Sequence, residues 1–195
     1  MHYLLVNIIC ALTLSNASPD VERAQQTLDS LYQNYAAPNT CLLRENYPFN
    51  QDNKATYLAS EEQAKRRNEY SYLWPYSGTF SAVNALLEST GNKKYKKLLE
   101  NKVLPGLEEY FDTRREPFAY SSYINSQPLS DRFYDDNVWL GIDFTDSYRM
   151  TKKQAYLKKA KLIWEFILSG KDDVLGGGIY WCEQKKESKN TCSNA

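Results

Sequence analysis

The chain has 195 residues, 24 basic against 24 acidic side chains, and 42% hydrophobic with 14% aromatic content, which fits one soluble domain and excludes bulk nucleic-acid binding as its main job. Its single histidine is His2, inside a stretch that reads as a removable leader, so Ser-His-Asp and Cys-His catalysis, His zinc sites and His general bases drop out. Carboxylate, Tyr, Lys or Cys remain for acid–base work, and 16 Tyr with 4 Trp supply flat, hydrogen-bonding rings suited to stacking on sugars or lining polar clefts.

In chain order, Leu4 to Leu14 is an apolar run interrupted by Asn7 and Thr13 and followed by Ser15-Asn16-Ala17. This predicts a secretory signal peptide over residues 1–17, too short to span a bilayer, and an exported mature chain over 18–195 with no integral membrane segment. Asn7 occupies the position where a lipid-modified Cys10 wants an aliphatic residue. Ser18 and Pro19 read as N-cap and N1 of a first amphipathic helix with Val21, Ala24, Leu28, Leu31, Tyr32 and Tyr35 on one face.

A polar stretch from 38 to 68 then reads as a long irregular connection of the kind that carries function. Tyr72 to Thr90 is small and apolar on more than one side, as in a helix packed on both flanks, with Gly91 closing it. A third helix runs from Tyr95 through Leu98, Leu99, Val103 and Leu107 to Phe111, with Pro105 forcing a kink or break. Asp131 to Tyr148 is a fourth. Thr151 and Gln154 suggest a capping box opening a fifth, whose face is Tyr156, Ala160, Ile163, Trp164 and Ile167 and which Gly170 ends.

Thr90-Gly-Asn-Lys-Lys-Tyr95 and Thr151-Lys-Lys-Gln-Ala-Tyr156 lie 61 positions apart, each joining a small or apolar helix to a Lys-rich amphipathic one. Paired inner and outer helices repeating in this way predict an all-α solenoid or closed α/α toroid. At that period the mature chain holds about three hairpins. The final residues, Lys189 to Ala195, read as a helix about to start, which suggests a split reading frame.

Of the cysteines, Cys182 and Cys192 flank a polar loop and are able to bridge, leaving Cys41 free; all three unpaired is the alternative. With no CxxC pair and no mature His, neither a metal site nor a cofactor is expected.

Chemistry concentrates in Tyr134-Asp135-Asp136-Asn137-Val138-Trp139. Two adjacent acids at a helix start point about 100° apart around the axis, so neither shields the other. Retaining glycosidases need about 5–5.5 Å between nucleophile and acid/base, which neighbours can supply. The helix N-terminus favours one carboxylate while mutual repulsion keeps a proton on the other, the asymmetry that attack plus proton donation requires. Ordinary dipole compensation explains the same pair equally simply. Gly176-Gly177-Gly178 delivers Tyr180 and Trp181 in a loop, and Pro75 places Trp74 and Tyr76 at a helix mouth. These rings are candidate sugar platforms, with core packing as the competing role.

YLWPYSGTFSAVNAL, YDDNVWLGIDFTDSY and GGGIYW followed by KNTCSNA, in that order, resemble the bacterial glycoside hydrolase family 76 endo-α-1,6-mannanases over residues 20–195, the first half of such a domain. The resemblance implies an (α/α)6 barrel, here incomplete, that cleaves α-1,6-linked mannan or manno-oligosaccharides with retention, without metal, as a monomer. It implies Asp135 as nucleophile and Asp136 as general acid/base; Trp74, Tyr76, Tyr134, Asn137, Trp139, Tyr180 and Trp181 are expected to line the cleft. Two rivals stand beside it. One is a non-catalytic mannan-binding protein with the same aromatic cleft; the other is a helical-repeat scaffold, marked by a continuous apolar groove and by Asp135 and Asp136 facing solvent.

Overall fold

The computed structural model describes residues 18–55, 65 and 67–194; the predicted leader, with Cys10, lies outside them. Helix α1 (Pro19–Tyr35) begins as expected, with the Ser18 hydroxyl accepting from the Val21 N–H at 3.4 Å. Leu28 is its buried anchor and Ala24 is exposed. The described part of the connection that follows is pinned by single bridges, Ala36 with Leu43 and Arg44 with Tyr70.

Helix α2 (Leu73–Thr90) buries residues around most of its circumference, including Leu73, Tyr76, Phe80, Val83, Asn84 and Leu86. It is central because α1, the third helical segment and the later helix α5 all pack against it. The third segment is a composite, α3 (Lys93–Leu98), a π-turn (Leu99–Val103) and α4 (Leu104–Glu108). Pro105 has no N–H to offer, and the chain answers by widening one turn, so that the Leu104 N–H bonds to the Leu99 carbonyl. The helix stops at Glu108, short of Phe111. Phe111–Asp112 is instead strand β1, paired antiparallel with β2 (Ala119–Tyr120) in a ribbon that the apolar periodicity did not reveal.

Helix α5 (Tyr134–Thr151) starts three residues later than the sequence reading placed it and is followed by α6 (Gln154–Ser169). The predicted capping box does not form. Thr151 belongs to the last turn of α5, donates to the Ser147 carbonyl at 2.7 Å and accepts from the Lys153 N–H at 3.3 Å, while Lys152 in a left-handed conformation makes the corner. On α6, Tyr156, Ala160, Ile163 and Ile167 are buried as expected, but Trp164 is 57% exposed and Phe166 is buried in its stead.

The architecture is all-α apart from the small ribbon: apolar α2 and α5 lie inside, and amphipathic α1, α3–α4 and α6 cover them. Inner residues Phe80 and Phe144 meet edge to face at 5.0 Å, joining α2 to α5 at the centre of the core. Among the described residues no helix is long and apolar enough to cross a membrane, and Cys41, Cys182 and Cys192 are all free thiols.

Candidate active site

The segment before α5 is extended, and the loop 181–184 lies beside it. Phe133 bridges Cys182, the Tyr134 N–H donates to the Trp181 carbonyl at 2.9 Å, and the Glu183 N–H donates to the Arg132 carbonyl at 3.0 Å. Arg132 is fully buried. Its guanidinium pairs with Glu183 through two contacts and donates to the carbonyls of Arg115 (3.0 Å) and Pro117 (2.9 Å), so a buried charge is neutralised and its N–H groups are used. Asn137, one turn into α5, is fully buried and brackets Tyr120: its carbonyl accepts from the Tyr120 N–H at 2.9 Å and its amide donates to the Tyr120 carbonyl at 3.0 Å. The first turn of α5 is thereby locked to β2 on one side and to the 181–184 loop on the other.

Asp135 and Asp136 stand in that locked turn, in unequal surroundings. Asp135 is partly exposed; one of its oxygens accepts from the Trp181 indole N–H at 3.0 Å and the other from the Asp136 backbone N–H at 3.0 Å. Asp136 retains 9% exposure, and among the described residues no donor reaches its carboxyl. Burial raises the pKa of both; the two donors pull Asp135 back, whereas repulsion from Asp135 pushes Asp136 further up, well above the usual carboxylate range. Among the described residues neither aspartate forms an ion pair. The two carboxyls are thus unequal, Asp136 being pushed further toward its protonated form than Asp135.

The aromatic expectations divide. Trp74, at the start of α2, is 59% exposed, and Trp139, one turn along α5 from Asp135, is 53% exposed. Trp181 is half-buried, its ring 5.1 Å from that of Phe133 and its N–H committed to Asp135. Three others are buried and hold structural partners in this chain. Tyr76 is 1% exposed, and its hydroxyl lies 3.0 Å from the carbonyls of Cys41 and Val103, serving the loosened backbone near the π-turn. Tyr134 is buried and stacks on Phe166 at 4.6 Å. Tyr180 is buried with its hydroxyl 3.0 Å from Asp172, which Lys189 also holds. Asn137 is likewise a clamp on Tyr120 and has no free face for a ligand.

The sequence model described as "Glycosyl hydrolase family 76" matches residues 36–195. The chain belongs to glycosyl hydrolase family 76. Among solved structures it is similar to a family 76 glycoside hydrolase (mannosidase) from Bacteroides thetaiotaomicron, at 28% identity and TM-score 0.70, over 89% of this chain and 44% of that one. A family 76 α-mannanase from the same organism gives 25% identity and TM-score 0.71, with the same coverage. The α-1,6-mannanase from Salegentibacter sp. gives 26% identity and TM-score 0.58, over 89% of this chain and 41% of that one. The chain thus spans less than half the length of these family 76 relatives, and its helical hairpins are part of their barrel. None of the curated proteins matches the sequence. A sugar epimerase from a ruminal bacterium shares the fold alone, at 15% identity and TM-score 0.54, so the fold does not choose the chemistry.

Arg132, Glu183 and Asp143 are the residues that sequence reasoning passed over. Arg132 stands inside the Asp-rich stretch, but its partner lies 51 positions away.

Proposed function

We propose that this chain carries the reacting pair of a retaining glycoside hydrolase that cleaves α-1,6-mannosidic bonds, in an exported protein. The observation that carries the reading is the inequality of two adjacent aspartates, one hydrogen-bonded by two donors and the other buried without one. Asp135 attacks the anomeric carbon; the C–O bond breaks onto the leaving oxygen as Asp136 gives up its proton, leaving a mannosyl ester on Asp135. Asp136, now charged, takes a proton from water, whose oxygen displaces Asp135 and restores both groups. Trp139, 53% exposed, offers its ring to a sugar face, with Trp74 at the mouth of α2. Support also comes from the Salegentibacter relative, of which an inactive variant altered at two adjacent aspartates is solved with α-1,6-mannotriose.

The test is reducing-end release from α-1,6-mannan by the full chain and by Asp135→Asn and Asp136→Asn. Each substitution is expected to lower turnover by at least about a thousandfold with the fold intact; turnover like that of the parent removes the substituted residue from its role. A second reading is mannan binding without turnover. Calorimetric binding of α-1,6-mannotriose with no product from the parent chain selects it. The scaffold alternative fits less well, because Asp136 does not face solvent.

A further inference from the structure

Trp181 was expected as a sugar platform, but its geometry gives it a different task. Its indole N–H points at Asp135 Oδ2, 3.0 Å away, and its backbone is held on both sides: the carbonyl accepts from the Tyr134 N–H at 2.9 Å and the N–H donates to the Ser188 carbonyl at 3.1 Å. Two residues on, Glu183 pairs with the fully buried Arg132, and the Arg132 N–H donates to the Gln184 side chain at 2.8 Å. The loop that carries the indole and the segment that carries Asp135 are therefore tied through one buried ion pair and a short ladder.

We propose that Trp181 is a positioning residue, its indole N–H held by the Arg132–Glu183 pair so that Asp135, and not Asp136, is the charged member of the aspartate couple. This rests on the assignment of Asp135 as nucleophile. A neutral N–H donor lowers the proton affinity of the carboxylate it touches and fixes the orientation of its plane. Of the other groups on the packed segments, Arg132 and Glu183 neutralise each other, and Lys189 is engaged by Asp172. The Cys182 thiol, pushed up by burial to about 11, and the Tyr134 phenol, also raised, stay neutral. Among the described residues, Asp136 is the carboxyl coupled to Asp135 by charge.

The test is a carbon-13 and nitrogen-15 NMR titration of the full chain, following the Asp135 carboxyl carbon and the Trp181 indole N–H. In the parent chain both signals are expected to move with one midpoint, and Asp135→Asn is expected to abolish the movement of the indole signal. Trp181→Phe, which keeps a ring and deletes the donor, is expected to raise the Asp135 midpoint by about one pH unit, and Glu183→Gln to raise it by less. An indole signal flat through the Asp135 titration, or an unchanged midpoint in Trp181→Phe, overturns the proposal; the first of these needs no variant to fold. An unchanged midpoint in Glu183→Gln overturns the part given to the ion pair. A pure platform role would instead weaken α-1,6-mannotriose binding in Trp181→Phe with the midpoint fixed. If Trp181→Phe moves the midpoint while Asp135→Asn still hydrolyses mannan, control of the Asp135 charge stands and the nucleophile assignment falls.

Discussion

Asp143 carries its carboxyl into the seam between α2 and α5, where Ser81 donates to it at 2.7 Å and the Asn84 amide bonds its backbone carbonyl at 2.9 Å; Ser147 completes the cluster by donating to Asn84 at 2.9 Å. Burial outweighs these donors and lifts its pKa to about 6. The folded chain therefore holds this proton more tightly than the unfolded one, and stability falls as pH rises between about 4 and 6, by roughly 3 kcal/mol. Asp143→Asn is expected to shrink the difference in urea stability between pH 4 and pH 7 by about that amount. The raised Asp135 and Asp136 add dependence of the same sign, while Asp112, held below the usual range by Arg114 and Arg115 against its burial, acts in the opposite sense only below 3.8. At this scale the adjacency of Asp135 and Asp136 was plain in the sequence. Their inequality was not, because the donor that separates them comes from Trp181, 46 positions on.

Among elements, the composite third helix shows how one residue reshapes a segment. The Asn101 carbonyl, which Pro105 cannot serve in an α-helix, takes the Cys41 thiol at 3.7 Å. Gly106 follows because Tyr76 and the Cys41 carbonyl press on that turn; a Cβ there would lie 1.9 Å from the Tyr76 hydroxyl and 2.4 Å from the Cys41 carbonyl oxygen. Gly106→Ala is expected to cost about 3 kcal/mol, read as a lower urea midpoint with an unchanged slope, whereas a loss under about 0.5 kcal/mol would show that the turn yields freely. Periodicity located α1, α2, α5 and α6 within a few residues because their apolar positions recur at the helical period. It ran the third helix past Glu108 because Tyr110 and Phe111 keep the period although they belong to a turn and to β1. The Thr151–Gln154 pair failed as a cap because Thr151 bonds back to Ser147, so that α5 lasts through it.

At the scale of the whole molecule, one face of the α5–α6 pair is exposed among the described residues. A groove of about 410 Å³ runs between them, lined by Val138, Ile142, Leu157, Trp164 and Ile167, and Ile142 and Trp164 are largely exposed. An apolar strip of this kind drives association. The 195-residue chain is expected to run larger than its 22.6 kDa mass in size-exclusion chromatography, and Ile142→Glu with Trp164→Glu to return it to the monomer position; elution as a monomer before substitution contradicts this. The alternation of apolar and Lys-rich helices, repeating at 61 positions, was enough to assign inner and outer layers, because burial on one face or on several leaves its mark in composition.

By itself, then, the sequence determined the helical class, the inner and outer helices and the family, since these depend on residues near one another in the chain and on motifs whose order survives without coordinates. Only the tertiary structure decided which rings are exposed and which of the two acids lies buried without a donor. Tyr76, Tyr134 and Tyr180 look like Trp74 and Trp139 in composition, and what separates them is whether a distant segment covers the ring and supplies a partner for its hydroxyl. Proton affinity likewise depends on burial and on donors within about 3 Å, and such neighbours are brought together only when the chain folds.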